Sequence, residues 1–188
     1  RHTAATLFAR CLSVLLLLAV ATGANAAGTE DKHALRHPLE DRALVEPNAV
    51  LKILPPLLAQ AQDPEAARER ALLLLVRANA CRVIADLRCQ RDAGHEATLA
   101  ARQARDPRLE ARGFILEARA YIAMQDYSHG EQQLAQAELL LVEAPDSTLS
   151  ADIGLGYSSL SHSLGKHALA LEYADRGLAQ LVPGHDPA

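Results

Sequence analysis

The chain has 188 residues, of which 37 are alanine and 33 are leucine, whereas six are aromatic and none is tryptophan. A core built from alanine and leucine is typical of a helical array and excludes an all-β sandwich or barrel. A charged fraction of 22% and a mean hydropathy of -0.02 exclude a disordered tail and a polytopic membrane protein. The net charge of -4 gives no general attraction to phosphate backbones, so we expect no nucleic-acid partner.

The first 26 residues carry the pattern of an export leader. Arg1 and Arg10 precede and flank an apolar run from Leu12 to Ala21, and Ala24-Asn25-Ala26 presents small residues at the two positions that a signal peptidase reads. This resembles a bacterial Sec signal peptide, and we expect cleavage before Ala27 and a periplasmic location. The alternative, a membrane anchor, would need about 20 apolar residues. We therefore expect no stable membrane insertion after cleavage.

Two segments separate this leader from the rest of the chain. Residues 27–37 are polar and are expected to form a flexible segment. Residues 38–62 predict an irregular N-terminal helical hairpin, made of Leu39–Val45 and Asn48–Gln62 and broken by Pro47 and Pro55-Pro56. The terminal unit of a helical stack is usually atypical, because one of its faces lacks a neighbour.

A 40-residue repeat occupies residues 63–182. Its anchors are Ala85-Asp86-Leu87, Gln125-Asp126-Tyr127 and Gly165-Lys166-His167, and seven residues before them stand Ala78, Ala118 and Ser158. Small residues that recur where two helices approach, with an apolar residue just before each turn, predict stacked helical hairpins. The sequence therefore predicts an all-α fold, an α-solenoid of antiparallel helix pairs.

The pairs are bounded by capping signals. Asp63-Pro64 and Asp106-Pro107 each place a carboxylate before a proline at the first helical position, and Ser147 is expected to cap the third unit. The final residues, 183–188, are a tail or linker. The predicted helix pairs are 64–84 with 87–105, 107–124 with 127–144, and 147–164 with 167–182.

The middle and last units resemble the tetratricopeptide repeat family. The resemblance rests on Ala118-Arg119-Ala120-Tyr121, Gln125-Asp126-Tyr127-Ser128-His129-Gly130, and Leu164-Gly165-Lys166-His167-Ala168-Leu169-Ala170. A period of 40 exceeds the family's usual 34 or so, there is no tryptophan, and Gln90 and Gly94 depart from its pattern. A HEAT-like array fits the period better by length, whereas the Tyr-x4-Asp-Tyr turn favours the tetratricopeptide interpretation.

The resemblance implies a binding groove along the first helix of each pair. Asn79, Arg119 and Ser159 fall on one set of the family's groove positions, and Arg82 and His162 fall three residues further on. Arg112 and Asp152 stand near the start of their helices on a similar face. Three arginines and an asparagine present donors suited to a carboxylate or an acidic peptide. The alternative is that these residues only solubilise the surface. The predicted groove comprises Asn79, Arg82, Arg112, Arg119, Ser159 and His162.

Cys81 and Cys89 lie four residues before and four residues after the Ala85 anchor. On one continuous helix they would be about 12 Å apart, but a turn at Ala85-Asp86 brings them close enough for a disulfide if both side chains point inward. An oxidising compartment would favour that bond. The alternative is a buried thiol at Cys81 and a partly exposed one at Cys89.

Motifs for catalysis are missing from the sequence. It holds no phosphate loop, zinc-protease signature, nucleophile elbow or Cys-x-x-Cys pair. His33 and His37 have helical spacing but lack an evident third ligand, so solvated polar residues are favoured over a metal site. We therefore expect no catalytic residues, no metal and no cofactor.

Two functions of different kinds fit these features. One is a non-catalytic exported module that binds a protein or peptide, either as a stand-alone periplasmic scaffold or as an assembly factor. The other is the periplasmic input region of a larger signalling protein. The leader and helical array resemble regions that precede a membrane span and a GGDEF diguanylate cyclase or sensor kinase in Gram-negative bacteria. In that case an output domain further along would be the catalytic part.

Overall fold

The computed structural model describes residues 35–181, and every regular element in that range is helical. The predicted all-α fold class is thus confirmed for the described part of the chain. The predicted leader, residues 27–34 of the predicted flexible segment, and the tail lie outside the described residues. No helix within residues 35–181 has both the length and the apolar character needed to cross a membrane.

The described range contains eight α-helices and one short 3-10 turn. The 3-10 turn, Pro64–Ala66, leads directly into the helix that begins at Ala67. The helices are α1 (Leu39–Val45), α2 (Pro47–Gln60), α3 (Ala67–Val83), α4 (Leu87–Gln103), α5 (Pro107–Ala123), α6 (Tyr127–Glu143), α7 (Ser147–Ser163) and α8 (His167–Ala179).

The 40-residue repeat is built from two halves of equal length. Helices α3 to α7 each have 17 residues, and each begins 20 residues after the one before it. A three-residue turn separates each helix from the next. Helices therefore make up most of each 40-residue unit, and the loops are short.

The turns use one backbone motif at equivalent positions. In residues 35–181 a positive φ occurs at Ala85 (59°), Arg105 (55°), Gln125 (64°) and Gly165 (74°). At the first of these turns the Asp86 N–H donates to the Cys81 carbonyl at 2.9 Å and the Ala85 N–H donates to the Arg82 carbonyl at 3.1 Å. These are the two hydrogen bonds of a Schellman ending. Pro145 lacks the N–H for this ending in the α6–α7 turn.

An aspartate caps the start of four successive helices. The side chain accepts a hydrogen bond from the backbone N–H three residues later at Asp86, Asp106, Asp126 and Asp146. The expectation for Ser147 was wrong, because Asp146 is the capping residue of α7 and Ser147 is its first helical residue. Asp63 makes no side-chain capping bond and is followed by the 3-10 turn.

The N-terminal hairpin is more regular than the prolines in its sequence led us to expect. Pro47 is the first residue of α2, and Pro55 and Pro56 lie inside that helix without ending it. The carbonyls left without an amide partner are those of Leu51 and Lys52, four residues earlier. Leu51 is half-buried and Lys52 is exposed, so water can reach the free carbonyls. Val50 and Leu54 on the other face are buried against α3.

Neighbouring helices pack in sequence order. Each of α3 to α7 contacts the next helix along the chain. In addition, α3 contacts α5, α5 contacts α7, and α1 and α2 both pack on α3. Two glycines allow α4 and α5 to approach closely. A β-carbon at Gly94 would lie 3.0 Å from the Glu117 nitrogen, and one at Gly113 would lie 2.8 Å from the Thr98 nitrogen. This contact fixes the register between the first and second units.

Candidate functional site

A cleft of about 430 Å³ lies on the side formed by the first helices α3, α5 and α7. We call it the arginine cleft. It crosses diagonally from the C-terminal half of α3 to the N-terminal half of α7, and residues of α1 and of the preceding segment close one side. Four of the six predicted groove residues line it: Asn79, Arg82, Arg112 and Arg119.

Arg112 is held by a carboxylate from the N-terminal helix. Its Nη1 and Nη2 donate to Glu40 Oε1 at 3.1 Å and Oε2 at 2.8 Å, and Nη1 also donates to the Leu35 carbonyl. The Glu40 side chain is only 5% exposed. A parallel two-bond contact of this kind is the strong geometry for a guanidinium and a carboxylate. Arg112 is therefore a structural clamp in the free protein.

Residues 35–37 belong to the segment that the sequence predicted to be flexible, and each makes specific contacts. Leu35 packs against the apolar clusters on both sides of α5. Arg36 pairs with Glu40 at 3.3 Å and with Asp41 at 2.7 Å. His37 Nε2 lies 3.3 Å from Glu69 Oε1. The chain thus approaches α1 by crossing the arginine cleft.

The ion pair of Arg119 is easier to exchange for a ligand than the ion pair of Arg112. Its Nη2 lies 2.7 Å from Asp152 Oδ1 of α7, and both side chains are about one-third exposed. An ion pair with this much access to water contributes little net stability. A ligand carboxylate could replace Asp152 on Arg119 at small cost.

Arg82 and Asn79 remain available for a ligand. Arg82 is exposed and Asn79 is half-buried, and within residues 35–181 neither side chain has a hydrogen-bond or ion-pair partner. Both lie on the last turns of α3, one helical turn apart. The cleft therefore presents two uncommitted donor groups beside the exchangeable Arg119–Asp152 pair.

Ser159 and His162 do not join the other four predicted residues. They line a separate shallow cleft near α8, where the Ser159 hydroxyl donates to the Leu155 carbonyl at 3.0 Å and the His162 ring lies 5.1 Å from the His167 ring. The separation follows from the diagonal course of the arginine cleft. That cleft reaches α7 near its first turn, whereas Ser159 and His162 lie near its end.

A second cleft, of about 580 Å³, lies on the opposite face of α5. We call it the Glu117 cleft. Phe114, Glu117 and Tyr121 contribute from α5, His95 and Leu99 contribute from α4, and Gln133 contributes from α6. Phe114, Glu117 and Tyr121 are three and four residues apart and therefore share one face of α5. Arg112 and Arg119, seven residues apart, share the other face.

Glu117 is buried without a hydrogen bond to one of its oxygens. The residue is 3% exposed, and Oε2 forms a long ion pair with His95 Nδ1 at 3.6 Å, beyond hydrogen-bond distance. Burial raises the pKa of Glu117, and the charges of His95 and Arg91 oppose the rise. Sequence reasoning missed this residue. An acid within the apolar stretch Phe114–Ala118 was the available signal.

Cys81 and Cys89 form a disulfide across the α3–α4 turn, with their α-carbons 5.7 Å apart. Cys81 is fully buried, and Cys89 is half-buried at the first turn of α4. The bond lies directly beside Arg82. It therefore ties the two helices together at one end of the arginine cleft.

Comparisons with known proteins give no guide to the function. No protein-family model, curated protein or solved structure matches the chain. Within residues 35–181 no group of three or more His, Cys, Asp or Glu side chains is placed to hold a metal ion. The arrangement of both clefts is suited to binding charged groups.

Proposed function

We propose that the chain is an exported, non-catalytic tetratricopeptide-like α-solenoid that binds an acidic peptide segment in the arginine cleft. Helices of equal length, their packing in sequence order, and contacts between successive first helices all support the solenoid. In the cell this module would serve as the periplasmic input region of a larger signalling protein such as a diguanylate cyclase. The second candidate role is a stand-alone periplasmic scaffold or assembly factor.

The Glu40–Arg112 pair carries the proposal. A helix of the protein itself brings a carboxylate into the cleft, and an arginine of α5 holds it by two hydrogen bonds at 3.1 and 2.8 Å. The cleft can therefore accept a glutamate that is presented by a helical segment. The neighbouring groups Arg82, Asn79 and Arg119 offer the same chemistry to a ligand from outside.

The charge of the cleft also favours an anionic ligand. Four guanidinium groups line it, at Arg36, Arg82, Arg112 and Arg119, against three carboxylates at Glu40, Asp146 and Asp152. The Asp146 carboxylate already caps α7 by accepting from Leu149 N at 3.0 Å, and Glu40 is committed to Arg112. An arriving acid therefore meets an excess of donors.

The experiment uses a fluorescein-labelled helical peptide with glutamates at positions i and i+4, together with its all-glutamine counterpart. Fluorescence anisotropy should detect binding of the acidic peptide to the full chain and weaker binding of the glutamine peptide. Arg82→Ala combined with Arg119→Ala should weaken the acidic peptide by about tenfold or more, because charge-assisted hydrogen bonds are lost.

Arg88→Ala combined with Arg108→Ala is the matched control. These two exposed arginines lie on α4 and α5 outside the cleft, so the control removes the same net charge from the same region. Equal losses in the two double variants would show general charge attraction and would contradict the proposed site. Unchanged binding by Arg82→Ala with Arg119→Ala would contradict it as well.

The two cellular roles predict different coding sequences after Ala188. A span of about 20 apolar residues followed by an output domain would select the signalling role. A stop codon directly after Ala188 would select the stand-alone role. Sequencing the frame past this residue therefore separates the two roles without any binding measurement.

A further inference from the structure

We propose that the Glu117 cleft is a second binding site, for a primary ammonium group attached to an apolar body. A lysine side chain and a free aliphatic amine share this chemistry. The site is independent of the acidic-peptide function, because it lies on the other face of α5 and uses none of the arginine-cleft residues.

Two buried acceptors without a hydrogen bond define the site. Within the part of the chain that the structure describes, Glu117 Oε2 and Gln133 Oε1 are the buried side-chain oxygens or nitrogens that lack a hydrogen bond. Both are acceptors, both line the same cleft, and they come from different helices. Leaving such groups unpaired costs free energy, so a donor from a ligand would stabilise the structure.

Two neighbouring polar side chains of α4 are not free to satisfy Glu117. Its backbone is fixed against α4, because the Glu117 nitrogen and α-carbon lie at the contact with Gly94. The neighbouring Gln90 side chain is already committed, since its Nε2 donates to the Leu116 carbonyl at 2.9 Å. The Thr98 hydroxyl is likewise committed and donates to the Gly94 carbonyl at 3.1 Å.

The charged groups at the rim leave the cleft open to a cation. Arg91 is paired with Asp92 at 2.6 Å, and Arg102 is paired with Glu110 at 2.7 Å, so both guanidinium groups are neutralised by their own partners. Glu96 adds a further carboxylate to the lining. His95 is exposed and can move aside from Glu117 Oε2.

The arrangement of acceptors favours an ammonium over a guanidinium. A guanidinium presents a planar fork that grips both oxygens of one carboxylate, whereas an ammonium directs three donors in different directions. One carboxylate oxygen and one amide oxygen from separate helices suit the second pattern. Leu99 and the half-buried Phe114 provide an apolar wall for the ligand's hydrocarbon chain.

The test is a titration of the ¹⁵N-labelled full chain with n-butylammonium, monitored by amide chemical shifts. We expect saturable shifts at Leu99, Glu117 and Gln133 and none at Arg82 or Arg119. A second titration uses a short peptide with one internal lysine and blocked ends. Tighter binding of the peptide would indicate a lysine side chain as the source, and tighter binding of n-butylammonium would indicate a free amine.

Glu117→Gln keeps the shape of the side chain and removes its charge, so it should weaken n-butylammonium at least tenfold. The matched control, Glu96→Gln, removes one charge from the same cleft but no buried acceptor, and should change the affinity less than twofold. Chemical shifts outside the cleft establish that both variants are folded. 1-Butanol, the uncharged analogue, should not bind.

Three outcomes would overturn the proposal. They are the absence of saturable shifts with either amine, equal effects of Glu117→Gln and Glu96→Gln, and preferential saturation of the site by potassium or calcium chloride. None of these outcomes affects the acidic-peptide proposal, because the two clefts share no lining residue.

Discussion

Two buried glutamates show how differently the same residue type can be used in this molecule. Glu40 accepts from Arg112, from Arg36 and from the His37 backbone N–H at 3.2 Å. Its burial is therefore compensated by donors on three sides, and it fastens α1 to α5. Glu117 has a histidine near one oxygen at 3.6 Å and no hydrogen bond there. Glu40 stabilises the fold, whereas Glu117 is the residue that we propose binds a ligand.

The core position Leu134 provides a residue-scale prediction. Leu134 is 0% exposed, and its Cδ2 atom lies 2.6 Å from where a β-carbon at Gly156 would be. Leu134→Asp would place a carboxylate without a partner between α6 and α7, at a cost on the order of several kcal/mol. Thermal or urea unfolding should show a large loss of stability.

Leu139→Asp is the control for this substitution. Leu139 lies on the same helix and is 64% exposed, so the same change there should alter the free energy of unfolding by no more than about 0.5 kcal/mol. Similar losses at Leu134 and Leu139 would mean that the face of α6 turned to the core is assigned wrongly.

At the scale of elements, the turns explain why the sequence predicted the helices of the repeat region. A small or apolar residue before each turn and the 40-residue spacing of the anchors were enough to place six helices within a few residues of their observed bounds. The finer 20-residue spacing was also readable, since aspartates stand at 86, 106, 126 and 146. Pro55 and Pro56 misled the prediction because local rules cannot show that the carbonyls they leave free face water.

The Cys81–Cys89 disulfide provides an element-scale prediction. A short loop closed by a disulfide is expected to stabilise by about 2–3 kcal/mol, so reduction should lower the midpoint of urea unfolding. Mass spectrometry of protein produced in an oxidising compartment and purified without reduction should find the tryptic peptides 78–82 and 89–91 joined. Two free thiols, alkylated without prior reduction, would contradict the bond.

At the scale of the whole molecule, α5 separates two clefts that differ in charge. The arginine cleft lies on one side and the Glu117 cleft on the other, and the helical period assigns Arg112 and Arg119 to the first and Glu117 and Tyr121 to the second. The two proposed sites would together hold an acidic segment and a basic group. Their ligands would then be brought together by one helix.

Repeat positions predicted three of the donors in the arginine cleft, Asn79, Arg82 and Arg119, but not the limits of the cleft. Ser159 is the repeat equivalent of Arg119, yet the two lie in different clefts because the cleft crosses the stack diagonally. The role of Arg112 was also beyond sequence reasoning. Its partner Glu40 lies 72 residues away, and no local pattern connects a residue of the N-terminal hairpin with the second repeat unit.

Binding of an acidic peptide in the arginine cleft is the central claim about the whole molecule. The most direct measurement is a ¹⁵N chemical-shift titration of the full chain with the unlabelled form of the glutamate peptide. Saturable shifts should be concentrated at Asn79, Arg82, Arg119 and Asp152, with His95 and Glu117 unaffected. Shifts that spread over exposed arginines outside the cleft, such as Arg88 and Arg108, or the absence of saturable shifts, would contradict this claim.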